Sequence, residues 1–206
     1  MSLLSGADAF RAEGAAVGFT VAEFWAWALG DLRMNNARGF LAEYLVARAV
    51  GAQAPMRVEW APHDVEAPDG TLIEVKASGY SQSWRGSDSK PSYGFKSVRS
   101  AQVWDDGLGA YRTVEPADRV HVWVFGLHLA RRSDPYDSLD LDRWSFRVVP
   151  HAWLLATGQT SAGLSFFDRH GVAAVGWRDL RAAVAGARAE HDRMRAATRP
   201  ARAVSR

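Results

Sequence analysis

A short hairpin that sets two carboxylates opposite each other is the feature that most constrains how this 206-residue chain can fold. Residues 71–77 alternate with a period of two, so Glu74 and Lys76 share one face of a strand. The preceding Pro68-Asp69-Gly70 is typical of a turn, because proline presets φ and glycine accepts a positive φ. A loop of these three residues sets Asp64 opposite Glu74. Two carboxylates facing each other across a hairpin repel, so this register predicts a cation between them.

The spacing of Asp64 and Glu74-Val75-Lys76 resembles the motif of the PD-(D/E)XK nuclease superfamily, whose members have the restriction-endonuclease-like fold. That motif is a carboxylate, a short strand-turn gap, and then acid-any-lysine in an apolar strand. Members of the superfamily usually carry one more acid on a helix before the hairpin, and Glu43 matches that position. The literal Pro-Asp pair is absent, because His63 separates Pro62 from Asp64.

The resemblance implies a metal-dependent phosphodiesterase that acts on nucleic acid, with DNA as the expected substrate. It assigns Mg²⁺, for which Mn²⁺ can substitute, to Asp64, Glu74 and the backbone carbonyl of Val75. Glu43 is expected to reach the metal directly or through water. Lys76 is expected to orient the water or to stabilise the charge of the transition state. The expected catalytic residues are therefore Glu43, Asp64, Glu74 and Lys76.

The use of lysine in this chain favours a special role for Lys76. Of the 25 basic residues, only Lys76, Lys90 and Lys96 are lysines, and the others are arginines. A lysine kept inside an apolar strand beside two acids indicates that the compact ammonium group itself is needed.

The polar segment after the hairpin, residues 78–98, interleaves aromatic and basic side chains. Such segments can stack bases and hold phosphates, and they can equally form a surface loop whose aromatic side chains cover the core. The position directly after Lys76 favours a role in substrate contact. The expected contacts are Ser78, Gln82, Trp84, Arg85, Lys90 and Lys96.

The remaining pattern predicts an α/β (α+β) domain with a mixed central sheet flanked by helices. Thr20-Val21-Ala22-Glu23 is a capping box that opens a helix reaching about Gly30. A second helix from about Asn36 to Val50 carries Glu43, and a short strand is expected near 57–60. Further along, the chain predicts strands at 121–129 and 144–149, a short helix at 152–157, and a helix from about 177 into the C-terminal tail.

The chain also resembles a group of uncharacterised bacterial proteins over residues 36–183. The similar segments are Ser81–Trp84, the strand His121–Phe125, and Asp140–Phe146. The group implies a nuclease-like fold and has no established substrate.

We predict an N-terminal segment at 1–18, a single nuclease-like domain at 19–185, and a basic, flexible tail at 186–206. Residues 181–206 hold seven arginines against Glu190 and Asp192, a net charge of +5, which leaves −3 for the rest because the whole chain carries +2. We interpret this charge as a solvated helix end, with a contact to the phosphate backbone as the alternative.

Composition excludes several other classes of protein. The absence of cysteine excludes disulfides, cysteine nucleophiles and thiolate zinc sites. Apolar runs stay well short of transmembrane length, and the N-terminus lacks the features of a signal peptide. We therefore expect a cytoplasmic protein with no membrane contact. The six histidines lack the ligand spacing of a metal-dependent HD phosphohydrolase.

Two alternatives remain open from the sequence. The chain can be a catalytically silent nuclease-fold module that binds nucleic acid or a protein partner. The acids can also be purely structural, with Lys76 paired to Glu74. The sequence leaves open DNA versus RNA, specificity, and a role in restriction, repair or defence. A homodimer is compatible with it, because cutting both strands of a duplex often requires one.

Overall fold

The structure is a computed structural model that describes residues 3–58, 61–99, 101–105, 107–114 and 119–198. Its strands are β1 (Ala9–Ala12), β2 (Ala15–Thr20), β3 (Val65–Glu66), β4 (Leu72–Gly79), β5 (Ser92–Gly94), β6 (Ala101–Asp105), β7 (Ala110–Val114), β8 (Val122–His128), β9 (Trp144–Pro150) and β10 (Ser161–Gly163). Its α-helices are α1 (Val21–Leu29), α2 (Asn35–Val50), α3 (His151–Ala156), α4 (Leu164–Arg169) and α5 (Leu180–Thr198).

A mixed four-stranded sheet in the order β3-β4-β8-β9 forms the centre of the fold. β3 pairs with β4 antiparallel, β4 with β8 parallel, and β8 with β9 antiparallel. The pairs β1–β2, β5–β10 and β6–β7 form separate two-stranded sheets. This arrangement confirms the predicted α+β class with a mixed central sheet.

Each face of the central sheet buries its own apolar layer. Successive residues of a strand point to opposite faces, so Val122 and Val124 join one layer while Trp123 and Phe125 join the other. Helices α2 and α5 contribute side chains to the first layer, and β5, α3 and α4 contribute to the second. Strand β4 is therefore covered on both sides, and its polar residues Glu74 and Lys76 lie on the face of Trp123.

The two predicted N-terminal helices form where their capping signals place them. The Thr20 hydroxyl accepts a hydrogen bond from the Glu23 backbone N–H, and the Glu23 carboxylate accepts one from the Thr20 N–H, which completes the capping box. Helix α2 ends at Gly51, whose φ of +78° is left-handed and favours glycine. Both bounds agree with the sequence prediction to within about a residue.

The segment predicted at 1–18 contains an element that the sequence did not indicate. Residues 9–20 form the β1–β2 hairpin, which leads directly into α1. Several aromatic side chains of this region are exposed, and Trp27 of α1 is 85% exposed.

The C-terminal prediction needs correction. Residues 186–198, expected as part of a flexible tail, form the last two thirds of helix α5, where Ala187 and His191 are buried. These two side chains lie on the same face as Leu180 and Val184, so the helix packs on the domain over most of its length. Residues 199–206 lie outside the described residues.

The strand expected near 57–60 is absent at residues 57 and 58, and its other two residues lie outside those described. Within the described part of the chain, no helix is both long enough and apolar enough to span a membrane.

Candidate active site

The hairpin has the register that the sequence predicts. Val65 lies opposite Ile73, and Gly70 closes the turn with a φ of +78°. One step beyond this pairing, Asp64 falls opposite Glu74, and the Asp64 N–H donates to the Ile73 carbonyl at 3.0 Å. The two carboxylates are therefore brought together at the edge of the central sheet.

Asp64 is the acid whose charge is least compensated. Its Oδ2 accepts a hydrogen bond from the Val75 N–H at 2.8 Å. Burial, and after it the nearby charge of Glu74, raises the pKa of Asp64 to about 7; Lys76 acts in the opposite direction, and Glu43 adds to the increase. A partly buried carboxyl that loses its proton only near neutral pH lies where an added positive charge would be strongly stabilised.

Glu74 has a cation at each of its two oxygens. The Lys76 ammonium lies 2.8 Å from Oε1, and the Arg119 guanidinium lies 3.6 Å from Oε2. Arg119 is buried and also donates to the backbone carbonyls of Pro62 and Ser97. It therefore fixes Glu74 to the segments on either side of the hairpin. The sequence analysis did not identify Arg119, and a single arginine ahead of an apolar strand carries no pattern that would reveal it.

Glu43 lies on helix α2 and is mostly buried, as part of an ion pair. The Arg57 Nε lies 2.5 Å from its carboxylate, and the Arg57 guanidinium stacks 5.0 Å from the centroid of the Phe40 ring. Because Glu43 raises the pKa of Asp64, the two acids lie within electrostatic range of each other. The predicted helix thus brings a third acid to the hairpin, and Arg57 neutralises it.

Acids and cations around the hairpin are equal in number, although two of the cations, Lys76 and Arg119, lie at Glu74. Three acids (Glu43, Asp64 and Glu74) lie with three cations (Arg57, Lys76 and Arg119). Among the residues that the structure describes, no group of three or more histidine, aspartate or glutamate side chains is arranged to hold a metal ion. The pairing of Lys76 with Glu74 is the geometry that the purely structural alternative predicts.

A cleft of about 730 Å³ begins at Lys76 and gathers most of the predicted substrate contacts. Ser78, Gln82, Trp84, Arg85 and Lys90 all line it. Lys96 does not line this cleft and begins a separate 3₁₀ turn, Lys96–Val98. The polar segment after the hairpin therefore folds back over the face of β4 that carries Lys76.

Two of these lining residues are occupied within the protein. The amide of Gln82 donates to the Gly79 carbonyl and to the Ser89 hydroxyl, and its oxygen accepts from Arg38 at 2.7 Å. The Ser78 hydroxyl, also buried, accepts from a backbone N–H of β5. These hydrogen bonds assign both side chains to the scaffold of the cleft. Trp84, Arg85 and Lys90 are the lining candidates that remain exposed enough to meet a ligand.

Arg38 is a further residue that the sequence analysis missed. Its side chain is only 1% exposed, and its guanidinium donates to the Ser81 carbonyl and to the side chains of Gln82 and Asn35. Residues 38, 42, 45 and 46 lie on one stripe of α2, and the other three are apolar. An arginine inside an apolar helical stripe is the signal that could have revealed this role.

Comparison of the chain with protein-family models and with curated proteins gives no match. The function proposed below therefore depends on the side chains of the hairpin and the cleft.

Proposed function

We propose that this chain is a metal-dependent nuclease that hydrolyses phosphodiester bonds in nucleic acid, with DNA as the expected substrate. One observation carries the proposal: the partly buried Asp64 lies opposite Glu74, and Lys76, on the strand of Glu74, lines a cleft together with Arg85 and Lys90. Paired carboxylates and an ammonium group beside a basic cleft are the groups that phosphodiester hydrolysis needs. The resemblance of the hairpin to the PD-(D/E)XK motif supports the same function.

The oxygen atoms at the hairpin would hold Mg²⁺, with Mn²⁺ as a substitute, once the ion pairs at Glu74 and Glu43 open. Asp64, Glu74 and the Val75 carbonyl offer the hard oxygen donors that Mg²⁺ prefers. The N–H and C=O of a residue in an extended strand point the same way, so the Val75 carbonyl faces the same edge as the N–H that meets Asp64. A divalent cation there would offset the uncompensated charge of Asp64. Glu43 would contribute directly or through water.

Two ion pairs must loosen for this chemistry to occur. Glu43 is held by Arg57, and Glu74 is held by Lys76. A phosphodiester in the cleft offers the partly exposed Lys76 ammonium a second anion, and Arg119 keeps the buried Glu74 paired when Lys76 turns away. We expect Lys76 to move from Glu74 towards the phosphate when substrate binds.

The side chains of the hairpin and the cleft have separate roles in the proposed hydrolysis. When bound, the metal would polarise the scissile phosphate and lower the pKa of a water molecule. Lys76 donates to the phosphate oxygen on which negative charge grows in the transition state. Arg119 holds Glu74 in position while Lys76 leaves it. Arg85 and Lys90 attract the phosphates on either side.

Cleavage of a mixed panel of nucleic acids tests the proposal. Plasmid, linear duplex, single-stranded DNA and RNA are incubated with Mg²⁺, Mn²⁺ or EDTA. The variants are Lys76→Ala and, as a matched control, Lys96→Ala, which removes a lysine outside the cleft. We expect metal-dependent cleavage that falls by about 100-fold or more in Lys76→Ala and stays near wild type in the control. Full activity of a folded Lys76→Ala variant would contradict the assignment.

A second candidate function is a nuclease-fold module that binds nucleic acid without cutting it. The observation in its favour is that Glu74 and Glu43 already have cationic partners. Calorimetric titration with Mg²⁺ separates the two functions. No heat of Mg²⁺ binding, together with salt-dependent binding of DNA, would favour the silent module.

A further inference from the structure

The loop between β4 and β5 presents one exposed aromatic side chain to the cleft. Trp84 lines the cleft and is 61% exposed, although a buried indole would remove a large apolar area from water. Its flat face is therefore available to a ligand. An indole in this position suits a planar partner, because stacking combines apolar contact with dispersion attraction.

The exposure of Trp84 does not come from a loosely attached loop. The Ser89 N–H donates to the Tyr80 carbonyl at 2.8 Å, which joins the two ends of the loop. On the side of helix α2, the buried guanidinium of Arg38 donates to the carbonyl of Ser81 and to the side chain of Gln82. The base of the loop is thus fixed by hydrogen bonds on both sides, so Trp84 is held at the rim of the cleft.

The charge of the cleft favours a polyanion. Lys76, Arg85 and Lys90 line it, and Asp88 is the acid in its lining. The Asp88 carboxylate is already engaged, since it accepts from the Arg131 guanidinium at 3.2 Å and from a neighbouring backbone N–H at 2.7 Å. Lys76 is likewise engaged, by Glu74, which leaves Arg85 and Lys90 to attract phosphates along the cleft.

The exposed indole, together with the size of the cleft, indicates whether the bound polyanion is a single strand or a duplex. A volume of about 730 Å³ lies within the usual range for pockets that hold small molecules. A short stretch of nucleotides falls in the size class of such ligands. Inside a duplex, neighbouring bases cover both faces of each base, so Trp84 can stack only on a base that has left the helix. Stacking on exposed aromatics beside basic side chains is how proteins hold single strands.

We infer that the cleft binds an unpaired strand of nucleic acid, with one base stacked on Trp84 and the adjacent phosphates on Arg85 and Lys90. This places the strand so that a following phosphate meets Lys76. The inference rests on the proposed nuclease function and adds its substrate class. The stacking surface and the cations suit DNA and RNA strands alike, so the experiment compares the two.

Binding in EDTA tests the inference without catalysis. Fluorescence anisotropy is measured with labelled single-stranded DNA, single-stranded RNA and duplex DNA of the same sequence. The proteins are wild type, Trp84→Ala, Trp84→Phe and the matched control Trp27→Ala, which removes an exposed indole from α1. We expect tighter binding of one or both single strands than of duplex, and loss of that binding by about tenfold or more in Trp84→Ala. Trp84→Phe should retain most of the affinity, and Trp27→Ala should match wild type.

The outcomes separate this inference from the proposed function. Duplex binding as tight as single-strand binding, or unchanged single-strand binding by Trp84→Ala, would overturn the inference while metal-dependent cleavage still supported a nuclease. An equal loss in Trp27→Ala would also overturn it, because the effect would then not belong to the cleft. A wild-type protein that neither binds nor cuts any nucleic acid would overturn both.

Discussion

Replacement of Asp64 by asparagine should stabilise the metal-free protein at alkaline pH, even though it should abolish cleavage. The Asp64 carboxyl is partly buried beside Glu74, and these surroundings raise its pKa to about 7 from an ordinary 3.8. Asparagine keeps an oxygen that can accept the Val75 N–H, so the hydrogen bond is retained while the charge is removed. The substitution therefore isolates the free energy of the buried charge.

The size of the effect follows from the difference in pKa. One pKa unit corresponds to about 1.4 kcal/mol, so ionisation of Asp64 lowers the free energy of unfolding by about 4 kcal/mol in total. The folded state holds this proton more tightly than the unfolded state does. The stabilisation that the protonated Asp64 contributes is therefore complete below the ordinary pKa and is lost as the pH rises through about 7. From about pH 5 to about pH 8, the free energy of unfolding of wild type should fall by about 3 kcal/mol more than that of Asp64→Asn.

Urea unfolding in EDTA at the two pH values measures this difference. Glu190→Gln is the matched control, since it removes a carboxylate from an exposed side chain of α5, away from the hairpin. We expect the control to follow the pH dependence of wild type. Addition of Mg²⁺ at the higher pH should stabilise wild type and not Asp64→Asn. If wild type and Asp64→Asn lose the same stability between the two pH values, the charge of Asp64 is compensated and the reasoning is refuted.

Two further predictions concern buried groups around the site. Arg119→Met leaves Glu74 and two backbone carbonyls without their guanidinium, and it should lower the free energy of unfolding by about 3 kcal/mol. Arg112→Met, which removes the exposed ion pair with Asp105, should cost under about 1 kcal/mol, and equal losses in urea unfolding would contradict the prediction. Burial lowers the pKa of His151 to about 4, so the unfolded state takes up the proton first and stability falls as the pH drops below about 6.5. The variant His151→Gln keeps an acceptor for the indole N–H of Trp123. From about pH 7.5 to about pH 5, the free energy of unfolding of wild type should fall by about 2 kcal/mol more than that of this variant, and equal losses would contradict the prediction.

The parts of this molecule that local chemistry determines could be predicted from the sequence. The turn at Pro68-Asp69-Gly70 fixes the register of Asp64 against Glu74, and Gly51 fixes the end of α2. Both signals act between residues that are close in the chain. The strands β4, β8 and β9 follow from the pattern and length of their apolar runs, which are also local properties.

The parts that depend on distant residues could not be predicted. The cation at Glu43 is Arg57, and the second cation at Glu74 is Arg119, which comes from the other side of the long connection to β8. The clamp of Arg38 on the cleft loop joins α2 to residues that follow β4. The short pair β5–β10 likewise joins residues 92–94 to 161–163. No periodicity connects such partners, so a single sequence does not reveal them.

The parallel pairing of β4 with β8 has a consequence for how this protein folds and changes. Parallel neighbours need a long connection, and here residues 80–121 supply it, including the loop that holds Trp84. The two strands can pair only after this connection has closed, so we expect the cleft to form late in folding. Each doubling of a flexible segment costs only about 0.6 kcal/mol, so insertions in the exposed stretch 83–88, away from the buried Tyr93, Phe95 and Val98, disturb the sheet little. The exposed loop that would contact the substrate can therefore change in length during evolution, while the hairpin that carries Asp64 and Glu74 keeps its geometry.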